Sequence, residues 1–229
     1  MLFLAVFCGF MAENQREHLV EHKREVKYVT SLYEDLKGDT SDFQNDIPFW
    51  TGVLNSIDTI RQEIEKPEGQ RNHYLLYKSV AYMRAYNNFE YHDRTIEQLK
   101  NGGNFRLIRN SLIADSIMNY DAIIKGELRD QELQSNIIYQ NINFLQDKFF
   151  NSKYYMDFLR KTTVADSLRN TNTDILKVSA GNELLLFQYS NHLQYYYTMT
   201  KFRVGNSKVL LRKATNLIKL LKNEYHLDD

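Results

Sequence analysis

Met1-Leu-Phe-Leu-Ala-Val-Phe-Cys-Gly-Phe-Met-Ala12 opens the chain as an unbroken apolar run and passes without a turn signal into a long charged segment. In that segment Leu19, Val26, Tyr33, Thr40 and Ile47 recur at one seven-residue spacing, and Val29, Leu36 and Phe43 at a second. Side chains at those offsets share one stripe of an α-helix, and an apolar stripe has to be covered by other helices. The repeat has the form of a coiled-coil seam. This stretch sets the fold class: all-α, an antiparallel helical bundle built on a long N-terminal helix.

The remaining composition agrees. With 229 residues the chain is long enough for one sizeable core. Its 9 Gly and 2 Pro are few, which favours long helices over many short strands. The 16 Tyr and 13 Phe suit a large aromatic core with hydroxyls reaching its rim. No Pro/Gly/Ser-rich linker interrupts the pattern, so residues 13–229 read as a single helical domain and residues 1–12 as the end of a membrane anchor helix. The 29 basic and 29 acidic residues cancel, so no global field argues for nucleic acid. Cys8 is the sole cysteine, which excludes an intramolecular disulfide and leaves the compartment open.

The apolar run needs its own arithmetic. As a helix, Met1–Ala12 reaches about 18 Å, against roughly 30 Å of bilayer hydrocarbon. Alone it does not span. No basic residues precede it, as a secretory signal would require, and Phe7 stands before Cys8 where a lipoprotein signal has a small residue. The readings left are one end of a membrane helix, favoured here, and a helix end buried in protein.

Downstream, Pro48 predicts an end to the first helix near Ile47, with Asp46 capping a second helix to about Lys66. Leu54, Ile57, Ile60 and Ile64 give that second helix its apolar face. A third, from about Asn72 to Asn88, carries Leu75, Leu76, Val80, Met83 and Tyr86. Thr95 with Gln98 reads as a capping box for a short helix ending at Asn101-Gly102-Gly103. The longest pattern runs from about Ser111 to Phe150 on Ile113, Ile117, Tyr120, Ile124, Leu128, Ile138, Ile142, Leu145 and Phe149. Gly126 marks a bend or close approach within it. Tyr154 to Lys161 reads as one further short helix, Asn170–Thr173 as loop and Asp174 as a cap. Two last helices, Asn182–Phe202 and Ser207–Tyr225, are joined at Gly205-Asn206.

Two segments carry a family resemblance. One is Glu13-Asn-Gln-Arg-Glu followed by Tyr28-Val-Thr-Ser-Leu-Tyr-Glu-Asp-Leu-Lys-Gly-Asp39; the other is Thr95-Ile-Glu-Gln-Leu-Lys-Asn-Gly-Gly-Asn-Phe-Arg-Leu-Ile-Arg-Asn110 with Leu112 and Tyr120. Together they resemble an uncharacterised bacterial family, a domain of unknown function in which one N-terminal transmembrane helix continues into an α-helical domain. The resemblance covers roughly the first 160 residues. It implies a single-pass protein of the bacterial inner membrane, with the side of the domain undetermined, and no activity. The chain departs from the family at its start, where it has about half of a membrane helix.

Among chemical motifs the sharpest is His18-Leu-Val-Glu-His22, the inverted zinc-peptidase order, in which two imidazoles one turn apart hold a metal and Glu21 acts as base. Its surroundings, Glu13, Arg16, Glu17, Lys23, Arg24 and Glu25, suit a solvated face instead. His73, His92, His192 and His226 form no ligand spacing. Gly102-Gly103-Asn104 lacks the further glycines and the helix directly behind that a phosphate loop needs. From Lys201 to Lys222 there are basic residues and no acidic one; Lys208, Arg212, Lys219 and Lys222 share one side, opposite Leu210, Leu211, Leu217, Ile218 and Leu221. That pattern suits a membrane surface or an acidic partner, or a wet bundle face beside Glu34, Asp35, Asp39, Asp42 and Asp46. Tyr195-Tyr-Tyr197 reads as core packing rather than base stacking.

The sequence thus assigns no catalytic, cofactor-binding or metal residue and no cofactor. It points to a membrane-anchored, non-catalytic interaction or signalling module. The partners expected are the membrane, through the N-terminal apolar segment, and a protein partner or second copy, not nucleic acid. The alternatives are a metal-dependent hydrolase using the His18–His22 motif and a small-ligand sensor.

Overall fold

The computed structural model describes residues 2–85, 87, 89–159 and 183–227. Tyr86, Lys161, Asn170–Thr173, Asp174 and Asn182, named above, lie outside them, as do the side chains of Leu2 and Ile138. The described residues form α-helices and two short 3₁₀ turns, with no strand among them. The helices are α1 (Leu2–Glu65), α2 (His73–Arg84), α3 (Arg94–Asn101), α4 (Ser111–Phe149), α5 (Ser152–Leu159) and α6 (Glu183–Tyr225). The fold is all-α, a helical bundle with a long N-terminal helix.

Pro48 does not end the first helix; it lies inside α1. Its missing N–H leaves one carbonyl a turn earlier without its helical donor. Packing on both sides outweighs that loss, because Phe43, Trp50, Val53, Ile57 and Ile60 are all buried along the same helix. Asp46 is accordingly no cap: it is buried mid-helix and accepts a hydrogen bond of 2.8 Å from Trp50 Nε1. The two expected C-terminal helices are likewise one, running through Gly205 and Asn206. Asn206 and Ser207 spend their side chains on tertiary partners, Glu127 (2.6 Å) and Asp46 (3.3 Å), instead of breaking the helix.

The apolar start of α1 ends at Ala12, and charged residues follow from Glu13 on. No helix of the described residues is long and apolar enough to cross a membrane. That finding overturns the expectation of a single-pass inner-membrane protein with a transmembrane helix.

By contacts the chain divides into two compact units. The first comprises Met1–Phe43, Glu90–Gly126 and Val209–Asp229. Its core is made by Val29, Leu32, Leu36 and Phe43 of α1, Ile96 and Leu99 of α3, Ile113, Ile117 and Ile124 of α4, and Leu210, Leu217 and Leu221 of α6. Leu19 is exposed, so the α1 stripe enters the core only from Glu25 onward. Within this unit α1 and α4 run in the same sense, since Glu25 meets Arg109 and Asp39 meets Tyr120.

The second unit comprises Gln44–Phe89 and Glu127–Lys208. Its core joins Trp50, Val53 and Ile57 of α1, Leu76, Tyr77 and Val80 of α2, Ile142, Leu145 and Phe149 of α4, and Tyr189, Leu193 and Tyr196 of α6. Here α6 is antiparallel to both long helices. Its Ser207 meets Asp46 while its Arg203 lies 3.8 Å over the Trp50 ring. Its Asn206, Tyr196 and Tyr189 meet Glu127, Tyr139 and Gln146 in turn.

α2 begins as the sequence predicts, with the Asn72 side chain accepting from Leu75 N at 3.0 Å. α3 begins differently. Thr95 forms no capping box; its N–H and hydroxyl both donate to Asp35 of α1, so a carboxylate from another helix supplies the cap. α3 ends as expected, with Gly103 at φ 62°, a conformation glycine adopts without strain.

Candidate functional site

Glu25, Asp35 and Asp39, all on α1, are buried in the first unit. A buried carboxylate needs hydrogen-bond donors, and each of these has them. Glu25 accepts from the Arg109 N–H at 2.9 Å and the Tyr225 hydroxyl at 2.7 Å, and lies 3.2 Å from His22 Nδ1. Asp35 holds Thr95 and receives Arg94 at 3.2 Å. Asp39 accepts from the His92 N–H at 2.9 Å and the Tyr120 hydroxyl at 2.7 Å, with His92 Nδ1 at 3.0 Å. The His92 ring presses on α1 where residue 38 is glycine; a Cβ there would stand 2.9 Å from it.

Beside this lies a second polar group. Asp121 of α4 accepts from Tyr91 at 2.9 Å, from Lys100, and from Lys125 at 3.2 Å, and Lys125 also pairs with Glu97. Burial raises the Asp39 carboxyl above the usual carboxylate range, against the pull of its bonds from His92 and Tyr120. Burial likewise lifts Asp121, but its bonds from Lys100, Tyr91 and Lys125 outweigh that and hold it low. The Tyr91 and Tyr120 hydroxyls are pushed far up, first by burial and then by the carboxylates Asp121 and Asp39. Such hydroxyls stay protonated and act as hydrogen-bond donors. The chemistry of the cluster is fastening: the segment from Tyr91 to Lys100 is fixed to α1 and α4, and the carboxylates are already engaged by donors from the chain.

The His18–His22 motif sits on the bare part of α1. His18 and His22 are exposed; Glu21 lies 3.6 Å from Arg106, and the His18 carbonyl accepts from Arg109. Among the described residues no group of three or more His, Cys, Asp or Glu is placed to hold a metal ion. His73 is buried and His92 is bonded to Asp39. Tyr196 is buried against Tyr139, and Tyr195 is exposed.

α6 packs Leu210, Leu217 and Leu221 into the core of the first unit. Its apolar arc is therefore occupied within the bundle. On its basic side, among the described residues, Arg212, Lys213 and Lys219 make no ion pair. A half-open cavity of about 230 Å³ lies between α4 and α6 here, and another of about 300 Å³ lies in the second unit beside Glu127 and Arg203.

The most exposed apolar feature is the start of α1. Phe3 is 82% exposed and Phe10 73%, and Leu4, Val6, Phe7 and Met11 are all more than half exposed. Every residue from Phe3 to Val20 is exposed, so this part of the helix buries no side chain among the described residues. The sequence singled out this stretch; it did not single out the buried carboxylates. For Glu25 and Asp39 the signal was a third spacing, in which Glu25, Leu32, Asp39 and Asp46 recur every seven residues beside the apolar stripe. No protein-family model, curated protein or solved structure matches this chain.

Proposed function

We propose that the chain is a non-catalytic helical interaction module that docks through the first turns of α1. The observation that carries this reading is the exposure of Phe3, Leu4, Val6, Phe7, Phe10 and Met11 on turns of α1 that bury no side chain among the described residues. Together these side chains present roughly 700 Å² of apolar surface, more than the roughly 300–600 Å² patch typical of a monomer. Water disfavours that surface by about 25 cal/mol per Å².

The partner proposed is a lipid surface, contacted without being crossed. From Phe3 to Ala12 no face of the helix is polar, whereas a helix resting in a protein groove keeps one wet face. The residues Glu13–Glu17, Tyr28–Asp39 and Thr95–Asn110 support, within the same proposal, kinship with the uncharacterised bacterial family they resemble. The alternatives have less behind them. A hydrolase would need a third ligand near His18 and His22, and a sensor would need an enclosed apolar cavity; the cavities found are half-open.

Flotation with phosphatidylcholine vesicles tests the proposal. The full chain is expected to rise with the vesicles, and Phe7→Asp/Phe10→Asp to stay in the aqueous fraction with an unchanged circular dichroism spectrum. A full chain that does not float, or a double variant that floats as well, overturns the lipid assignment.

A further inference from the structure

A second surface is independent of the start of α1. It is the face of α6 that stays in water in the first unit while Leu210, Leu217 and Leu221 are buried. The cations of α3 and of the segments flanking it are matched: Arg94 with Asp35, Lys100 with Asp121, Lys125 with Glu97, Arg106 with Glu21, Arg109 with Glu25. Arg212, Lys213 and Lys219 are not matched among the described residues. Arg212 and Lys219 are exposed and stand two turns apart on one side of the helix, about 10 Å along its axis.

Lys213 lines the cavity of about 230 Å³ between α4 and α6. Its other walls include Ser116 and Asn119 of α4 and Asn216, Leu217 and Leu220 of α6, with no Asp or Glu among them. The Tyr120 hydroxyl at its edge is committed to Asp39. The hollow therefore offers one cation, two amides and a leucine floor, beside two further free cations.

We infer that this face of α6 binds an acidic, amphipathic peptide segment, whose carboxylates pair with Arg212 and Lys219 and one of whose apolar side chains enters the cavity beside Lys213. Charge complementarity selects the partner, since α6 from Lys201 to Lys222 carries basic residues and no acidic one, and such a face favours carboxylates. Nucleic acid fits less well. Its phosphates come at about one charge per 1.7 Å of duplex, which calls for a dense basic surface rather than a few spaced cations, and phosphates have no use for a leucine floor. A lipid surface is disfavoured because the apolar arc of α6 is already packed in the core.

Fluorescence anisotropy with a labelled peptide of Glu and Leu tests this on the full chain. The peptide is expected to bind, more weakly as salt rises. Arg212→Glu/Lys219→Glu should weaken it by about tenfold or more with the thermal midpoint unchanged. Should that variant fail to fold, Arg212→Gln/Lys219→Gln is read in the same way. Absence of binding, equal binding of the peptide with Gln for Glu, indifference to the substitutions, or stronger binding of a single-stranded oligonucleotide through the same residues would each overturn the inference.

Discussion

The hydroxyl of Tyr225, the last residue of α6, donates a 2.7 Å hydrogen bond to the carboxylate of Glu25 on α1. The two residues are 200 positions apart, and the same carboxylate accepts from the Arg109 N–H. Glu25 is also where α1 first becomes buried. One side chain thus gathers α1, the segment leading into α4 and the end of α6 at the point where the bare part of α1 stops.

Glu25→Ala should therefore be costly. It leaves the Arg109 N–H and the Tyr225 hydroxyl without their acceptor, so a loss of about 2–4 kcal/mol is expected in denaturant unfolding. Tyr225→Phe removes one donor and leaves the carboxylate two other neighbours, so about 1 kcal/mol is expected. Equal losses for the two variants would show that Glu25 is not the junction.

pH separates Glu25 from Asp39. Burial raises the Glu25 carboxyl, but its bonds from Arg109, Tyr225 and His22 outweigh that and set it below the unfolded value. Its contribution is present above the unfolded value of about 4.3 and is lost as pH falls through the folded value. Asp39 has the opposite sign, because burial dominates and its folded value is raised. Its contribution is present below the unfolded value of about 3.9 and lost as pH rises through the folded one. Asp39→Asn should accordingly gain on the parent protein as pH rises from 4 to 7, while Glu25→Gln falls behind it. Parallel stability curves for both variants would refute the assignment.

Two backbone substitutions should move stability in opposite directions. Gly103 has φ 62°, and a Cβ there would meet nothing within 4 Å, so Gly103→Ala isolates the cost of the left-handed backbone. About 1–2 kcal/mol is expected. Pro48 is exposed inside α1, so Pro48→Ala restores a helical N–H without removing buried surface. It should stabilise by about 1–3 kcal/mol, offset in part by the freer unfolded chain. Urea unfolding reads both.

What the sequence made legible was periodicity. The stripe of Val29, Leu36 and Phe43 is buried as its spacing predicts, and so are Ile113, Ile117, Tyr120 and Ile124. Local breakers misled where tertiary contacts overrode them: Pro48 and Gly205-Asn206 lie within continuous helices. The cap of α3 was not legible, because Asp35 supplies it from another helix. Nor were Asp39 and Asp121, whose donors His92, Tyr120, Tyr91 and Lys100 are far apart in sequence and meet only in the fold. Exposed acids and buried acids look alike until their partners are placed.

The last prediction concerns the bare part of α1. Between Phe3 and Arg24 the helix buries no side chain, and Glu25 is the first to reach the core. Most helical stability in a protein comes from packing of a buried face, and this segment has none. In the free protein, amides before Glu25 should therefore exchange with solvent through local fraying, with little protection. Those of Val29 to Leu36 should open only with the fold as a whole. Deleting residues 1–12 should leave the thermal midpoint in place, since the domain loses no buried contact. Deleting residues 1–30 removes Glu25 and Val29 and should lower it by several degrees, as expected when a few kcal/mol are lost from a domain of this size. If the shorter deletion lowers the midpoint as much as the longer one, the start of α1 is part of the core and its role as a docking element fails.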